Sequence, residues 1–376
     1  AAFWMPTPDC VPESAEYKPR TDSNTMKATY YIGLDVHSKN TTIAYALGGS
    51  REEAVYYGSC GGSVQNVERT LRKLAKKLGT EFKELKVSYE AGPTGFVLAR
   101  RLLSLGVECV VTAPSKTERK ANEKIKTDPI DARKLAKMFR NGDITAVRIP
   151  PATDEAVRDV CRARTDSVDD LKRSKQRLTA FLLRNGYRYS GRSTWTDGHM
   201  RYLRDLKFND SNQTIVLEEY LQVIDSGMER VARLEAKMKE LLGDWEWEPV
   251  VRALMAHKGF QDVAAMTTIS ELGDLTRFRH PRQLMAFLGL VPSEHTTGTR
   301  RRQGAITKCG NSHARWMLVE SAQAYRNPPK ISAALSKRQV GQSREVKELS
   351  WRAQHRLHRR YLKLKLRGKH ENKVKI

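Results

Sequence analysis

The sequence feature that most constrains the fold is an apolar run, Tyr30–Val36, which carries one carboxylate, Asp35, close to its end. A run of β-branched and aromatic residues predicts a strand, and a carboxylate within it is costly to bury unless a cation or hydrogen-bond donors meet it. A turn aspartate that accepts hydrogen bonds from nearby backbone N–H groups is one explanation. A bound metal ion is the other explanation, and the positions of the remaining acids in the chain help to decide between the two explanations.

The pattern around this run predicts a mixed sheet covered by helices, because three strands in a meander are followed by alternating helices and strands. Apolar residues recur every three or four positions from Val64 to Leu78, which indicates a helix that ends at Gly79. The other predicted elements are the strands Tyr30–Val36, Thr42–Leu47, Ala54–Gly58, Leu85–Tyr89 and Val107–Thr112, and a helix over Thr94–Leu105.

Acids stand at the ends of three of these elements. Asp35 lies in the first strand close to its end and Glu90 follows the fourth, while Asp128 is predicted to be the N-cap of a helix with Asp131 in its first turn. Carboxylates gathered in one place repel one another unless a divalent cation neutralises them, and Mg²⁺ prefers such oxygen ligands. The four acids therefore predict a magnesium site.

Beyond Pro150 and Pro151 the composition shifts, which predicts a domain boundary. Residues 153–185 and a second stretch carry helical patterns around an irregular insert, 186–210, so we expect a long helical hairpin or coiled coil. Its apolar stripe suits an intramolecular core and an oligomer interface about equally. The stripe comprises Leu217, Leu221, Ile224, Met228, Val231, Leu234, Met238 and Leu241.

The rest of the chain predicts a small, mostly helical domain over residues 250–330 and a basic helix that frays into a tail over 331–376. The first 25 residues contain four prolines and little periodicity, so we expect a disordered leader. The resulting division is 1–25, 26–150, 151–249, 250–330 and 331–376.

Charge indicates the partner. The chain has 67 Lys and Arg against 43 Asp and Glu, a formal net charge of +24, which is typical of a protein that binds nucleic acid. Five scattered cysteines predict neither a disulfide framework nor a zinc site. No apolar run is long enough for a membrane span, so we expect an intracellular protein without a membrane partner.

Four motifs together resemble a known family: YIGLDVH at Tyr31, YEAGPTG at Tyr89, KTDPIDAR at Lys126, and GLVPSE at Gly289 followed by GAITKCGN at Gly304. In this order they are similar to DEDD-type insertion-sequence transposases, relatives of pilin-gene invertases that include RNA-guided bridge recombinases. The resemblance implies a ribonuclease-H-like first domain, akin to Holliday-junction resolvases. It also implies that Asp35, Glu90, Asp128 and Asp131 are the catalytic Mg²⁺ ligands.

The same resemblance implies a serine nucleophile that forms a covalent bond to DNA, and here Thr297 occupies its place. A threonine hydroxyl can attack phosphorus, but its methyl group crowds the approach and restricts χ1. Ser293 is a further candidate, and a turn threonine bonded to local backbone is the structural alternative.

Basic and polar residues follow this stretch, and we expect them to contact nucleic acid because guanidinium groups suit phosphate oxygens. A solvated basic loop is the alternative. His295 and His313 are either acid–base groups or polar surface. The predicted contacts are Arg300, Arg301, Arg302, Lys308, Asn311 and Arg315.

These expectations describe a cytoplasmic, nucleoid-associated DNA transposase or recombinase. Its partners are expected to be donor and target DNA, a structured guide RNA, and further copies of the chain in a dimer or tetramer with composite active sites. One rival is a metal-dependent junction nuclease in which water attacks the DNA. Another is a nucleic-acid-binding relic without activity.

Overall fold

The computed structural model of the chain describes residues 28–113, 127–298 and 300–374. They divide into two compact units, Ala1–Pro150 and Pro151–Ile376. The predicted leader, residues 1–25, lies outside the described residues. None of the described helices combines the length and apolar character that crossing a membrane would require.

The first unit is built on a five-stranded mixed sheet, in agreement with the predicted α/β class. The strand order is β3-β2-β1-β4-β5; β2 pairs antiparallel with β1 and β3, whereas β4 pairs parallel with β1 and β5. This arrangement is compatible with a ribonuclease-H-like fold. The strands are β1 (Tyr30–Val36), β2 (Asn40–Leu47), β3 (Val55–Gly61), β4 (Leu85–Glu90) and β5 (Glu108–Thr112).

The third strand continues past Gly58, where the sequence predicts its end. The pairing register shifts between Ile43 and Ala44, so β3 carries one extra residue, Tyr57, at this point. Such a bulge absorbs the irregularity around a glycine without ending the strand. The prediction that β3 stops at Gly58 is therefore wrong.

Helices cover both faces of the sheet, and the alternating side chains of β1 pack against helices on each face. Ile32 and Leu34 are buried in the cluster formed with α1 (Val64–Leu78) and α2 (Val97–Ser104). Tyr31 points to the other face, where α3 (Asp128–Asn141) packs. Strand residues at alternate positions face opposite sides, so a single strand contributes to two cores.

The helix α3 begins one residue earlier than predicted. Its N-cap is Thr127, whose carbonyl oxygen accepts hydrogen bonds from the backbone nitrogens of Ile130 and Asp131. Asp128 is the first helical residue, so the prediction that it acts as the N-cap is wrong. Its carboxylate is not occupied with capping the helix.

Two long antiparallel helices open the second unit, α4 (Ala152–Arg184) and α6 (Ser211–Asp244). Arg164, early in α4, pairs with Glu235, late in α6, and Asn185, just after α4, bonds to Gln213 at the start of α6. The stripe residues Leu217, Leu221, Ile224 and Met238 are buried within the chain, whereas Met228 is 44% exposed.

The connection between these helices is more regular than the sequence predicts. A short helix, α5 (Asp197–Asp205), begins after Thr196, whose hydroxyl accepts a hydrogen bond from the backbone of His199. Met200 and Leu203 are buried against the long helices. The prediction of a wholly irregular insert is therefore wrong, because two apolar residues suffice to dock one helical face.

The remainder of the unit packs around the helix α8 (Asp262–Leu272), in which every residue from Ala265 to Leu272 is buried. This part of the unit consists mostly of helices and contains one β-hairpin among its described residues. The elements are α7 (Glu248–Met255), α8 (Asp262–Leu272), α9 (Pro281–Phe287), β6 (Pro292–Glu294), β7 (Gln303–Ile306), α10 (Ser312–Ala322), α11 (Ala333–Arg338), α12 (Arg344–Leu366) and α13 (Glu371–Val374).

Candidate metal centre and hydroxyl hairpin

Three side chains with metal-binding atoms meet at one end of β1. Asp35, His37 and Asp128 each offer one ligand atom, and these atoms all lie within 4.8 Å of one another. Asp35 belongs to β1, His37 to the turn that follows it, and Asp128 to the first turn of α3. Two predicted acids from distant parts of the chain are thus brought together.

Gly33 allows the close approach of α3 to β1 on which this group depends. A Cβ atom at Gly33 would overlap the carbonyl oxygen of Ala132 in α3. Because strand side chains alternate in direction, Asp35 lies on the same sheet face as Gly33. It therefore faces the helix end that carries Asp128 and Asp131.

The electrostatics of Asp35 reflect its neighbours. Its side chain is only 19% exposed, and burial raises its pKa above the usual range; His37 opposes this shift, whereas Asp128 and Asp131 add to it. The Nε2 atom of His37 lies 3.2 Å from Asp35 Oδ2 and 3.9 Å from Asp128 Oδ1. Several carboxylates therefore converge where a positive charge would relieve their repulsion.

Glu90 and Asp131 lie outside this group of three ligand atoms. Glu90 ends β4, and the parallel pairing of Leu34 with Tyr89 puts it at the strand position beside Asp35. Asp131 is near enough for its charge to act on Asp35. All four predicted acids therefore lie at one end of the sheet, although the ligand atoms of only two belong to the group.

The residues present fit a divalent cation. Carboxylate oxygens suit Mg²⁺ or Mn²⁺, and the half-buried carboxylate of Asp35 gains from a cation because its neighbours are also acidic. His37 is a neighbour of the acids that was not predicted from the sequence. Its signal was the Asp-x-His spacing, which puts both side chains on one face of an extended chain.

The predicted nucleophile lies in the second unit, at the tip of the β6–β7 hairpin. Thr297 and Arg300 exchange two backbone hydrogen bonds of 3.3 and 3.2 Å, which close the tip. Gly298 between them has φ +56°, a left-handed conformation that suits glycine. The side chain of Thr297 is exposed, whereas that of Ser293 packs over Gly304 in the opposite strand.

Two glycines fix the base of this hairpin. A Cβ atom at Gly289 would overlap the backbone of Cys309, and one at Gly310 would overlap the carbonyl oxygen of Phe287. Backbone hydrogen bonds from Lys308 to Gly289 (3.0 Å) and from Asn311 to Phe287 (3.2 Å) continue the pairing below the strands. The two chain segments therefore cross at contact distance.

The predicted phosphate-binding residues divide into two classes. The exposed class comprises Arg300, Arg301, Arg302 and Lys308. Within it, Arg301 Nε lies 3.4 Å from Glu294 Oε1. These four side chains are available at or near the hairpin.

Asn311 and Arg315 instead have structural contacts. Asn311 caps α10 through its Oδ1 and donates a 2.7 Å hydrogen bond to Glu271, while Arg315 donates a 2.7 Å hydrogen bond to the carbonyl oxygen of Leu288. His295 is exposed, and His313 is half-buried with its pKa lowered by burial.

A buried ionic network links the hairpin base to the long helix. The carboxylate of Glu271 in α8 is fully buried and accepts hydrogen bonds of 2.7 and 3.0 Å from Arg162 in α4. Burial raises the pKa of Glu271, but the hydrogen bonds from Arg162 and Asn311 outweigh it and lower the pKa below its usual range. The sequence gives no signal for this pair, because its members are far apart in the chain.

Comparison with known proteins agrees with this architecture. A family model described as a transposase of DEDD type matches residues 32–185, and the model of the transposase IS116/IS110/IS902 family matches residues 251–336.

The putative transposase y4qE of Sinorhizobium fredii is 39% identical over 339 residues, which cover 90% of this chain and 83% of the relative. The transposase for insertion sequence element IS1533 of Leptospira borgpetersenii is 31% identical over 92% of this chain and 99% of its own length. The chain therefore belongs to the DEDD-type transposases of the IS110/IS116/IS902 insertion-sequence family, whose activity is DNA transposition.

Proposed function

We propose that this transposase cuts and rejoins DNA by phosphoryl transfer that uses a Mg²⁺-binding acidic cluster and the hydroxyl of Thr297. The observation that carries the proposal is the convergence of the ligand atoms of Asp35, His37 and Asp128 within 4.8 Å at the end of β1. Glu90 and Asp131 complete the set of acids that would hold the ion.

A bound divalent cation would stabilise negative charge on the oxygens of a phosphodiester during displacement. The chain's own residues perform the remaining tasks. Asp35 and Asp128 hold their carboxylates at fixed positions because β1 and α3 are locked together at Gly33. Arg300 and Arg302, exposed on the hairpin, bind the phosphate oxygens next to the attacking hydroxyl.

In the covalent step, Thr297 Oγ1 forms a bond to phosphorus as the bond to one DNA ester oxygen breaks. The hydroxyl proton passes to solvent, and the departing DNA oxygen takes up a proton. Rejoining reverses this exchange, because a DNA hydroxyl displaces the threonine from phosphorus. Thr297 is therefore regenerated, and no external energy source is consumed.

The proposed assembly is a dimer or tetramer in which acids of one copy act with the hydroxyl of another, directed to its target by a structured RNA. The net charge of +24 supports binding to both DNA and RNA. Lys308 lies near the hairpin as a further phosphate contact, whereas Asn311 and Arg315 would act by holding α10 in place.

The test is to trap a denaturant-resistant protein–DNA adduct in the presence of Mg²⁺. Thr297→Ala is expected to abolish the adduct, and Thr297→Ser to keep or increase it. Thr296→Ala is the matched control, because the Thr296 hydroxyl is bonded to Glu294 at 2.7 Å and is expected to be dispensable for the adduct. Cleavage without any adduct in the unaltered protein would instead support a water-using metal-dependent nuclease.

The acidic cluster is tested separately. Asp35→Asn or Asp131→Asn is expected to abolish cleavage while leaving salt-dependent DNA binding intact. Glu53→Gln, which changes an exposed carboxylate of the same unit paired with Lys137, is expected to leave cleavage unchanged. Cleavage that survives in Asp35→Asn would refute the metal-site assignment, and DNA binding without cleavage in the unaltered protein would support a non-catalytic relic.

A further inference from the structure

The helix α12 has two chemically distinct sides, and its orientation is fixed by polar contacts on one of them. Ser350 donates a 2.8 Å hydrogen bond to the carbonyl oxygen of Ala256, and the backbone nitrogen of Lys330 donates one of 3.0 Å to Gln354. Ser350 and Gln354 are 0% and 1% exposed. Because these two residues are one helical turn apart, the opposite side of α12 is held facing solvent.

The solvent side is strongly basic. The sequence contains no acidic residue between Glu348 and Glu371. Within the described part of the chain, none of the cations along this side forms an ion pair, whereas Arg344 at the start of the helix pairs with Glu348 at 2.7 Å. The unpaired cations are Arg352, Arg356, Arg359, Arg360 and Lys363.

An exposed aromatic pair begins this basic side. The indole of Trp351 is 41% exposed, and its ring meets that of His355 edge to face with centroids 4.5 Å apart. A shallow groove runs from these rings past Arg356 and Arg360 to Lys363. The exposed indole lines this groove together with positively charged side chains, so an aromatic face and unneutralised cations are accessible at one place.

We infer that this side of α12 binds a single-stranded segment of DNA, with one unpaired base stacked on Trp351 and the adjoining phosphates on the arginines and Lys363. The inference rests on the proposed function, since it takes the strand from the DNA that the transposase opens. The site would keep an unpaired strand from re-annealing during strand exchange.

The physical argument distinguishes a single strand from a duplex. Unpaired bases expose the faces that stack on aromatic side chains, whereas a duplex buries those faces between neighbouring base pairs. The twelve helical steps from Trp351 to Lys363 span about 18 Å, a length that several consecutive phosphates of an extended strand can follow. The absence of acids on this side removes the repulsion that would oppose a polyanion.

The test measures binding of the whole 376-residue chain to a fluorescent oligothymidylate by anisotropy at several salt concentrations. Trp351→Ala is expected to weaken binding about 5- to 150-fold, the range that loss of one stacked base produces. Trp351→Phe keeps an aromatic face and should retain most of the affinity.

Charge is tested on the same helix. Replacement of both Arg356 and Arg360 with Gln is expected to reduce the slope of log affinity against log salt concentration by about 1.4, at about 0.7 for each lost phosphate contact on a single strand. Arg344→Gln is the matched control, because its partner Glu348 already neutralises that cation. It should leave both the affinity and the slope unchanged.

The outcomes separate this inference from the proposed function. Equal binding by Trp351→Ala and the unaltered protein would overturn the inference, as would a duplex of the same sequence that binds at least as tightly. Tenfold tighter binding to the corresponding RNA strand would overturn the assignment to DNA. Asp35→Asn is expected to lose cleavage but to bind the single strand normally. The binding measurement therefore tests this inference even if the catalytic proposal fails.

Discussion

The ion pair between the buried carboxylate of Glu271 and the half-exposed Arg162 allows a quantitative test of how the second unit is held together. Arg162→Met removes two hydrogen bonds and the positive charge from a carboxylate that is fully buried, and among the described residues the hydrogen bond from Asn311 is the one that remains. Breaking a buried ion pair typically costs about 3–5 kcal/mol, because the remaining charge has neither water nor a counterion. Since Arg162 itself is about half exposed and Asn311 remains, we expect the lower end, about 3 kcal/mol.

The control is Arg204→Met. Arg204 also makes two hydrogen bonds to one carboxylate, Asp225, at 3.0 and 3.1 Å, but these side chains are 54% and 40% exposed. Exposed pairs contribute about 0–1 kcal/mol, because water solvates both charges when the pair is broken. The two arginines are similarly exposed, so the variants lose the same contacts to a fully buried carboxylate in one case and to an exposed carboxylate in the other.

The assay is thermal unfolding of the whole 376-residue chain, followed by circular dichroism. For a unit of this size about 1 kcal/mol corresponds to about 2–4 °C, so Arg162→Met is expected to lower the Tm by about 6–12 °C and Arg204→Met by less than 4 °C. The double change of Arg162 and Glu271 to Met should recover part of the loss, since it removes the buried charge. Equal shifts for Arg162→Met and Arg204→Met would refute the reasoning.

Three further predictions follow from individual contacts. Gly33→Ala is expected to displace α3 and abolish Mn²⁺ binding measured by calorimetry, whereas Gly243→Ala, at a helical position with open space around it, should have no effect. Unchanged Mn²⁺ binding in Gly33→Ala would contradict the role of Gly33 in holding α3 against β1. Folding lowers the pKa of Glu271 below its ordinary 4.5, so the stability that this carboxylate contributes is present above that pH and is lost as the pH falls through the folded pKa. The Tm of the unaltered protein should therefore fall more steeply on acidification than the Tm of Glu271→Gln. Parallel curves would contradict this prediction. Asp154 accepts hydrogen bonds of 3.0 and 3.1 Å from the indoles of Trp245 and Trp247. Asp154→Ala should therefore lower the free energy of unfolding by about 1–3 kcal/mol and alter the tryptophan fluorescence, and an unaltered spectrum would argue against these bonds.

Elements with a regular apolar period could be predicted from the sequence. The limits of β1 agree with its predicted range, and α1 ends at Gly79 because that residue adopts the left-handed conformation expected of a helix C-cap. The antiparallel helices α4 and α6 also follow their patterns closely. In each case the local spacing of apolar side chains and the long-range packing favour the same structure.

Elements that depend on distant contacts could not be predicted. The short helix α5 docks through Met200 and Leu203, and the strands of the hairpin are three and four residues long, too short for a periodic signal. The β3 strand persists past Gly58 only because β2 supplies a pairing partner across the bulge. In all three cases, contacts with distant parts of the chain determine a structure that the local sequence does not specify.

The candidate metal centre shows the same division. Acids at element ends were recognisable, but the sequence could not say which of them would have converging ligand atoms. That depends on the contact between Gly33 and Ala132, which joins parts of the chain about 100 residues apart. The inclusion of His37 likewise depends on the direction taken by the turn after β1.

The glycine crossing at the base of the hairpin has a consequence for protein engineering. Gly289 and Gly310 leave no space for side chains where the two segments cross, so the base tolerates little variation, whereas the tip around Thr297 is exposed. Loops of different length or chemistry could therefore be grafted between His295 and Arg302 without disturbing the rest of the unit. A library randomised there with Thr297 retained would report on how the residues around the proposed nucleophile affect DNA chemistry, largely free of folding defects.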